Sequence, residues 1–259
     1  MIKRNVIALV IAVCTCILAA PAYAACSNLP PWTSLRSALA AAVSADGTGF
    51  KLNMWATIVD RDGTVCAVAF NGNSYRDQWL GSRVISAQKA NTANDFSLGR
   101  ASGRVGFPQG LALSTANLYS QVQPGLSLYG LQHSNPVDTE VAYEGLVSQF
   151  GTASDPMTTH RIGGVNVFGG GLALYQGGQN IGAVGVSGDT SCRDHRVAWL
   201  VRQHLSLDQF RKVAGVSGDP QRPDNIIFLA TGESPNTFKH PHCLSDAQDG
   251  DPSNLPAVQ

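Results

Sequence analysis

The side chains of this chain best suited to hold a metal or move a proton cluster near its glycine-rich segments. His195 follows the loop Gly185-Val186-Ser187-Gly188-Asp189 at the start of an expected helix, with Asp194 beside it and Trp199 one turn on. It is the first candidate donor; its other reading is a histidine that caps the helix or flanks a disulfide. His160 and Arg161 stand immediately before Gly163-Gly164 and place a second donor next to a cation. His133, in a polar stretch, ranks third, and His204 is expected to face the core. His240-Pro241-His242-Cys243 gathers ligands of the kind zinc or copper takes, but it lacks a second ligand group elsewhere to complete a site.

Other chemistries are disfavoured. Gly185-Val186-Ser187-Gly188-Asp189 lacks the second glycine of a nucleophile elbow, because residue 189 is Asp, and the exit of a hairpin is a poor substitute for a strand-turn-helix. Neither a phosphate loop nor a dinucleotide fingerprint is present, and no paired carboxylates stand out in a plausible cleft. Enzymatic activity on a small molecule therefore stays an alternative behind binding. The 18 basic and 18 acidic residues form no basic stripe, so no nucleic-acid partner is expected.

The N-terminus reads as a secretory leader. Lys3 and Arg4 precede an apolar run from Val6 to Ala20, and Ala22-Tyr23-Ala24 puts small residues at both specificity positions of a cleavage site, giving a signal peptide over residues 1–24. The run is shorter than the roughly 20 residues a membrane span needs. A periplasmic or secreted product with no membrane span follows, and the competing lipoprotein reading at Cys26 lacks the leucine such sites favour. Loss of the leader removes Cys14 and Cys16 and leaves Cys26, Cys66, Cys192 and Cys243. Four cysteines in an oxidising compartment suggest two disulfides, and sequence alone does not choose among the three pairings. The preferred one joins Cys192 to Cys243, tying the C-terminal tail to the exit of a hairpin, and Cys26 to Cys66.

These residues need elements to position them. A helix is expected from Leu35 to Ala45, then a strand Leu52 to Val59, a turn Asp60-Arg61-Asp62-Gly63 and a returning strand Thr64 to Phe70. Apolar positions at three- and four-residue spacing predict a long helix from Gln78 to about Phe96, with Ser86, Lys89 and Thr92 or Ala93 along one face. Residues 100–160 are rich in Gly, Ser, Pro and Asn, with short helical pieces near Ala112 to Ser120 and Val141 to Gln149. So long a stretch without strong elements is uncommon unless it covers a site or joins subunits. Leu172 to Gln176 and Ile181 to Val186 form a hairpin around Gly177-Gly178-Gln179-Asn180. Glycines at 182 and 185 inside the second strand mark a place where another backbone or a flat ligand comes close. A helix from Cys192 to His204 should bury Val197, Leu200, Val201 and His204; a short helix at Leu207 to Val213 and a late strand at Ile226 to Leu229 complete the expectation.

Three segments carry a resemblance to a known family: Ile58-Val59-Asp60-Arg61-Asp62-Gly63, Gln88-Lys89-Ala90-Asn91-Thr92-Ala93, and the stretch from Gly163-Gly164 through the hairpin to Gly185-Val186-Ser187-Gly188. Their order and spacing resemble the GlcG/HbpS family of heme-binding proteins (DUF336). The resemblance implies an α+β fold, a profilin-like antiparallel sheet with helices packed on it, in a single domain over residues 25–259. Its core would be about 33–99 and 160–204, with an insertion over about 100–159 and a C-terminal extension over about 205–259. It also implies a small-molecule ligand, haem or a relative of it, often in a homo-oligomer, with redox sensing or haem handling as the role. Carried over by position, Lys89, Thr92, Gly163, Gly164, Gly185, Ser187 and Gly188 would border the ligand. A haem pocket further wants an axial donor and a cation near the propionates. His195 or His160 would be the axial ligand and Arg161 the propionate partner. The Glu-x-x-Glu pair some relatives use for surface iron is absent, since Glu140 and Glu144 are four apart, so iron storage is not supported. A non-heme ligand or an oligomeric assembly role is the remaining alternative.

Overall fold

The computed structural model describes residues 26–101, 105–234 and 237–259; the expected signal peptide, residues 1–24, lies outside the described residues. Helix α1 (Trp32–Ala45) leads into the antiparallel pair β1 (Trp55–Asp60) and β2 (Val65–Phe70), and α2 (Ser82–Phe96) follows. The insertion supplies β3 (Leu111–Ala112), α3 (Thr115–Leu118), α4 (Leu131–Ser134) and α5 (Thr139–Ala142). Then come β4 (Gly171–Gln176), β5 (Gln179–Ser187) and α6 (Ser191–His204), and the chain ends through β6 (Ala214–Gly215) and α7 (Asp246–Asp249).

The main sheet has the order β2-β1-β5-β4, antiparallel throughout. Both hairpins are closed by the turn residues that their sequence advertises. Gly63 at φ 84° ends the first, and Gly177 and Gly178 at φ 57° and 82° form the two-residue reversal of the second. Alternation along the strands divides the core between two faces. One face packs Met54, Ala56, Ile58, Val184 and Val186 against Leu35, Leu39 and Ala42 of α1 and Val197, Ala198 and Val201 of α6. The other packs Trp55, Val59, Val68 and Ala183 against Val84, Ala87, Ala90 and Ala93 of α2, against Ala142 and Met157 of the insertion and against Ile162 just after it.

Gly185 shows why α2 lies so close. It sits opposite Thr57 on β1 and Gly171 on β4, so these three form a row across the sheet. A Cβ at Gly185 would stand 1.9 Å from the carbonyl oxygen of Ser86, and one at Gly171 would stand 2.4 Å from that of Lys89. The backbone of α2 therefore rests directly on the two glycines, while the Thr57 and Ser86 hydroxyls meet at 2.7 Å. Of the two partners that strand glycines suggest, the one present is a helix backbone.

Two buried ion pairs fasten the added segments. Arg83 of α2 holds Asp155 of the insertion through Nε and Nη2, at 2.9 and 2.5 Å, and its Nη1 donates to the carbonyl of Ala142. Arg202 of α6 holds Asp224 of the C-terminal extension at 2.6 and 2.9 Å. All four side chains are excluded from water. The disulfides Cys26–Cys66 and Cys192–Cys243 tie down the two ends.

Three expected elements differ. Leu207 to Val213 is not a helix: it runs beside β4, with the Tyr175 amide donating to Leu207 and the Gln209 amide to Tyr175. Ile226 to Leu229 makes only a single bridge, Phe228 with His240. His204 faces solvent, and the inner side of α6 instead includes Arg193, Asp194, His195 and Arg202, each buried because a partner for it arrives from elsewhere in the chain.

Candidate functional site

A pocket of about 460 Å³ opens beside the turn after β1, lined by Cys26, Asp62, Thr64, Val65, Cys66 and residues 159–161. Its volume lies in the range of small-molecule sites, roughly 300–1,000 Å³. The chain reaches it through Thr159, held at φ 70°, a left-handed conformation uncommon outside glycine. The turn is fixed because the Thr159 amide donates to Val65 and the Val65 amide to His160, which lays residues 159–160 along the start of β2.

The side chain of His160 is exposed and makes no hydrogen bond among the described residues. Arg161 is exposed too, and it pairs with Asp62 while its Nε donates to the Asp62 carbonyl oxygen at 2.9 Å. The hydrogen bond from Arg161 holds the Asp62 carboxyl far below the usual carboxylate range, with the Thr64 hydroxyl and amide adding to it. Val65 and the Cys26–Cys66 disulfide give the pocket its apolar wall. A free imidazole, a guanidinium and a small apolar wall therefore face one opening.

The other sequence candidates lie elsewhere, and most are enclosed. His195 is fully buried: its Nε2 accepts from the amide of Ile226 at 3.1 Å and lies 3.2 Å from Asn225 Oδ1, so the C-terminal extension covers it. Burial pushes its pKa down to about 3. A neutral imidazole with that nitrogen engaged is a packing residue in this structure and not an open donor. Lys89 is equally enclosed. Its Nζ reaches past the end of β5 to Asp194 Oδ2 at 2.7 Å and to the Val186 carbonyl at 3.1 Å. Burial drives both members of that pair toward their neutral forms, lowering Lys89 and raising Asp194 to about 6, and their contact opposes it. Thr92 is buried, donates to Gln88 and accepts from the Asn166 amide. Gly185 carries α2. Gly188, beside the buried Ser187, has the Gln78 side chain where a Cβ would be. Gly163 and Gly164, at φ 61° and 82°, turn the chain from Arg161 toward α2, where the Gly164 carbonyl accepts from Asn91. Of the residues expected to border a ligand, the structure brings only His160 and Arg161 together in an open pocket.

The soft-ligand cluster of the tail also has another use. Cys192, His240 and Cys243 approach one another closely, but both sulfurs are joined in a disulfide and are not free to bind a metal. His240 is buried against the ring of Tyr119; its Nδ1 lies 2.6 Å from the Pro241 carbonyl and its Nε2 2.8 Å from the Ser191 hydroxyl. Since a carbonyl only accepts, the proton sits on Nδ1. Burial takes the His240 pKa down to about 4.

Sequence reasoning did not single out Asp62, Thr64 or the disulfide as part of the pocket. The signal is present in the turn Asp60-Arg61-Asp62-Gly63, which the sequence offers as a strand reversal and as part of the family resemblance. Nothing local connects that turn with residues 159–161, almost a hundred positions later.

A family model described as haem degrading protein HbpS-like matches residues 33–201. No curated protein matches. Among solved structures, the chain is similar to the Klebsiella pneumoniae protein ORFY, of the DUF336 family, with 26% identity over 68% of this chain and 90% of that one, at a TM-score of 0.43. It is also similar to PduOC in its heme complex, with 23% identity over 66% and 89% of the two chains and a TM-score of 0.43. The corresponding figures for HbpS are 15% identity over 67% and 86% of the two chains and a TM-score of 0.39.

Proposed function

The chain belongs to the HbpS-like family, and on that premise we propose that it binds haem in the pocket of His160 and Arg161. The observation that carries this reading is the state of His160: an exposed imidazole without a hydrogen-bond partner among the described residues, next to a guanidinium, in an opening of about 460 Å³. His160 would ligate the iron, and Arg161 would share its charge between Asp62 and a propionate. Bound haem supplies the iron and its redox chemistry; the chain supplies the donor, the cation and the apolar wall. Export and a role in haem handling or redox sensing extend the same proposal. They are supported by the leader-like residues 1–24 and by two disulfides of the kind that persist in oxidising compartments.

The test is a hemin titration of the oxidised protein followed by absorption. A saturable Soret band near one haem per chain is expected, lost in His160→Ala, weakened in Arg161→Gln and retained in His195→Asn. A featureless response, or a band that persists unchanged in His160→Ala, overturns the assignment. Following the complex with ascorbate under air shows whether bound haem is consumed, as the family's description suggests.

A further inference from the structure

A second pocket, of about 400 Å³, lies between the start of α1, the end of β2 and residues 147–152 of the insertion. Four aromatic rings line it: Trp32, Phe70, Tyr75 and Phe150. Three of them are held from behind. Trp32 Nε1 donates to the Gly151 carbonyl at 3.0 Å, Phe70 stacks on Trp55 with centroids 4.5 Å apart, and the Arg83 guanidinium lies 3.7 Å from the Phe150 ring. The walls are thus tied to the core through α1, the sheet and the Arg83–Asp155 pair, so little ordering remains to be done when a ligand enters.

Of the side chains that line this pocket the charged one is Arg36, while the carboxylates of Asp77 and Asp155 accept from the Ser74 and Gly151 amides of its wall. Arg36 lines it, lies 5.7 Å from the Trp32 ring, and has neither a carboxylate partner nor a hydrogen bond among the described residues. Arg76 follows Tyr75, with its Nε 3.1 Å from the Tyr75 hydroxyl, and it too has no carboxylate partner among the described residues. No Asp or Glu lines the pocket. Flat apolar walls favour a flat ring, and an unpaired guanidinium at the opening favours a planar acid group that it can grip through two parallel hydrogen bonds.

We propose that this pocket binds a planar aromatic anion, a flat ring bearing a carboxylate or sulfonate, with the ring among Trp32, Phe70 and Phe150 and the acid group on Arg36. The site is separate from the His160 pocket and does not depend on the haem reading. Calorimetric titration of the oxidised protein with 2-naphthoate tests it, with 2-naphthamide as the uncharged control. The expected result is saturable one-site binding of the naphthoate, at least about fivefold tighter than the amide. Arg36→Gln should bring the naphthoate down to the amide's level and leave the hemin titration unchanged. Arg36 is exposed and has neither a carboxylate nor a hydrogen-bond partner among the described residues, so this substitution does not threaten folding; a far-ultraviolet circular dichroism spectrum checks that. No saturable naphthoate binding, equal binding of the amide, or full affinity in Arg36→Gln overturns the proposal. Displacement of naphthoate by one equivalent of hemin overturns the claim of two sites.

Discussion

Acidification from pH 7.5 to pH 5 should loosen the C-terminal extension, because two buried histidines hold it while neutral. His195 accepts from the Ile226 amide, and His240 meets the Ser191 hydroxyl. Desolvation lowers their pKa values to about 3 and about 4, against 6.5 in an unfolded chain. A group with a depressed folded pKa binds fewer protons folded than unfolded. For a histidine the stability this represents is complete above about pH 6.5 and is lost as the pH falls toward the folded value. At pH 5 each histidine has given up about 1.5 pH units of linkage, or about 2 kcal/mol, so the pair accounts for about 4 kcal/mol. Asp194, raised to about 6, works in the opposite sense, since its folded form takes up a proton more readily; Asp95 and Asp208, also raised, act the same way. The net loss is then about 2–3 kcal/mol, which for a domain of this size corresponds to a fall in Tm of roughly 4–12 °C. Thermal unfolding of the oxidised protein at the two pH values measures it. His195→Asn and His240→Gln should each be less stable at pH 7.5 yet lose less on acidification than the parent. A Tm that is the same at both pH values, or a pH slope that survives both substitutions, would exclude the two histidines as the source of the acid sensitivity.

Two substitutions probe the packing directly. Asp155→Ala leaves the Arg83 guanidinium buried without its carboxylate and should cost about 3–5 kcal/mol in urea unfolding, with the insertion exposed to proteolysis well before the core. Gly185→Ala places a methyl group against the Ser86 carbonyl and should cost about 1–3 kcal/mol as α2 lifts from the sheet, read as a lower thermal midpoint; unchanged stability would mean that α2 does not rest on the glycine row.

The two hairpins and α2 could be read from the sequence because their signals are local: turn residues at fixed positions, and apolar residues at the period of the element. The mixed helix-and-sheet architecture and the family resemblance were legible for the same reason. The inner face of α6 was not. Arginine and aspartate count as polar in any periodicity argument, yet Arg193 is buried on the nearby Asp189 and on Asp46, and Arg202 on Asp224; Asp46 and Asp224 lie outside any window around α6. His195 was singled out for its chemistry and place after the glycine loop. What encloses it, the segment around Asn225 and Ile226, lies thirty residues on in a stretch without regular structure. His160 stays open because residues 159–161 run along the outside of β2 instead of beneath another segment, and His133 on α4 is exposed as well.

The segment from Leu207 to Gln209 has a further consequence. It gives partners to both the amide and the carbonyl of Tyr175, and the Gly178 amide reaches the Gln209 carbonyl. Strand β4 is the last in the sheet on that side, so these bonds occupy backbone groups to which a foreign strand would otherwise attach. Sheet growth by strand addition is obstructed there by the chain's own extension. On the opposite border, residues 159–160 shield only the first turn-proximal part of β2, and Thr64 bridges Arg161. A chain shortened after His204 would lose the first guard and keep the second, so it would bare the end of β4 as well as uncover His195.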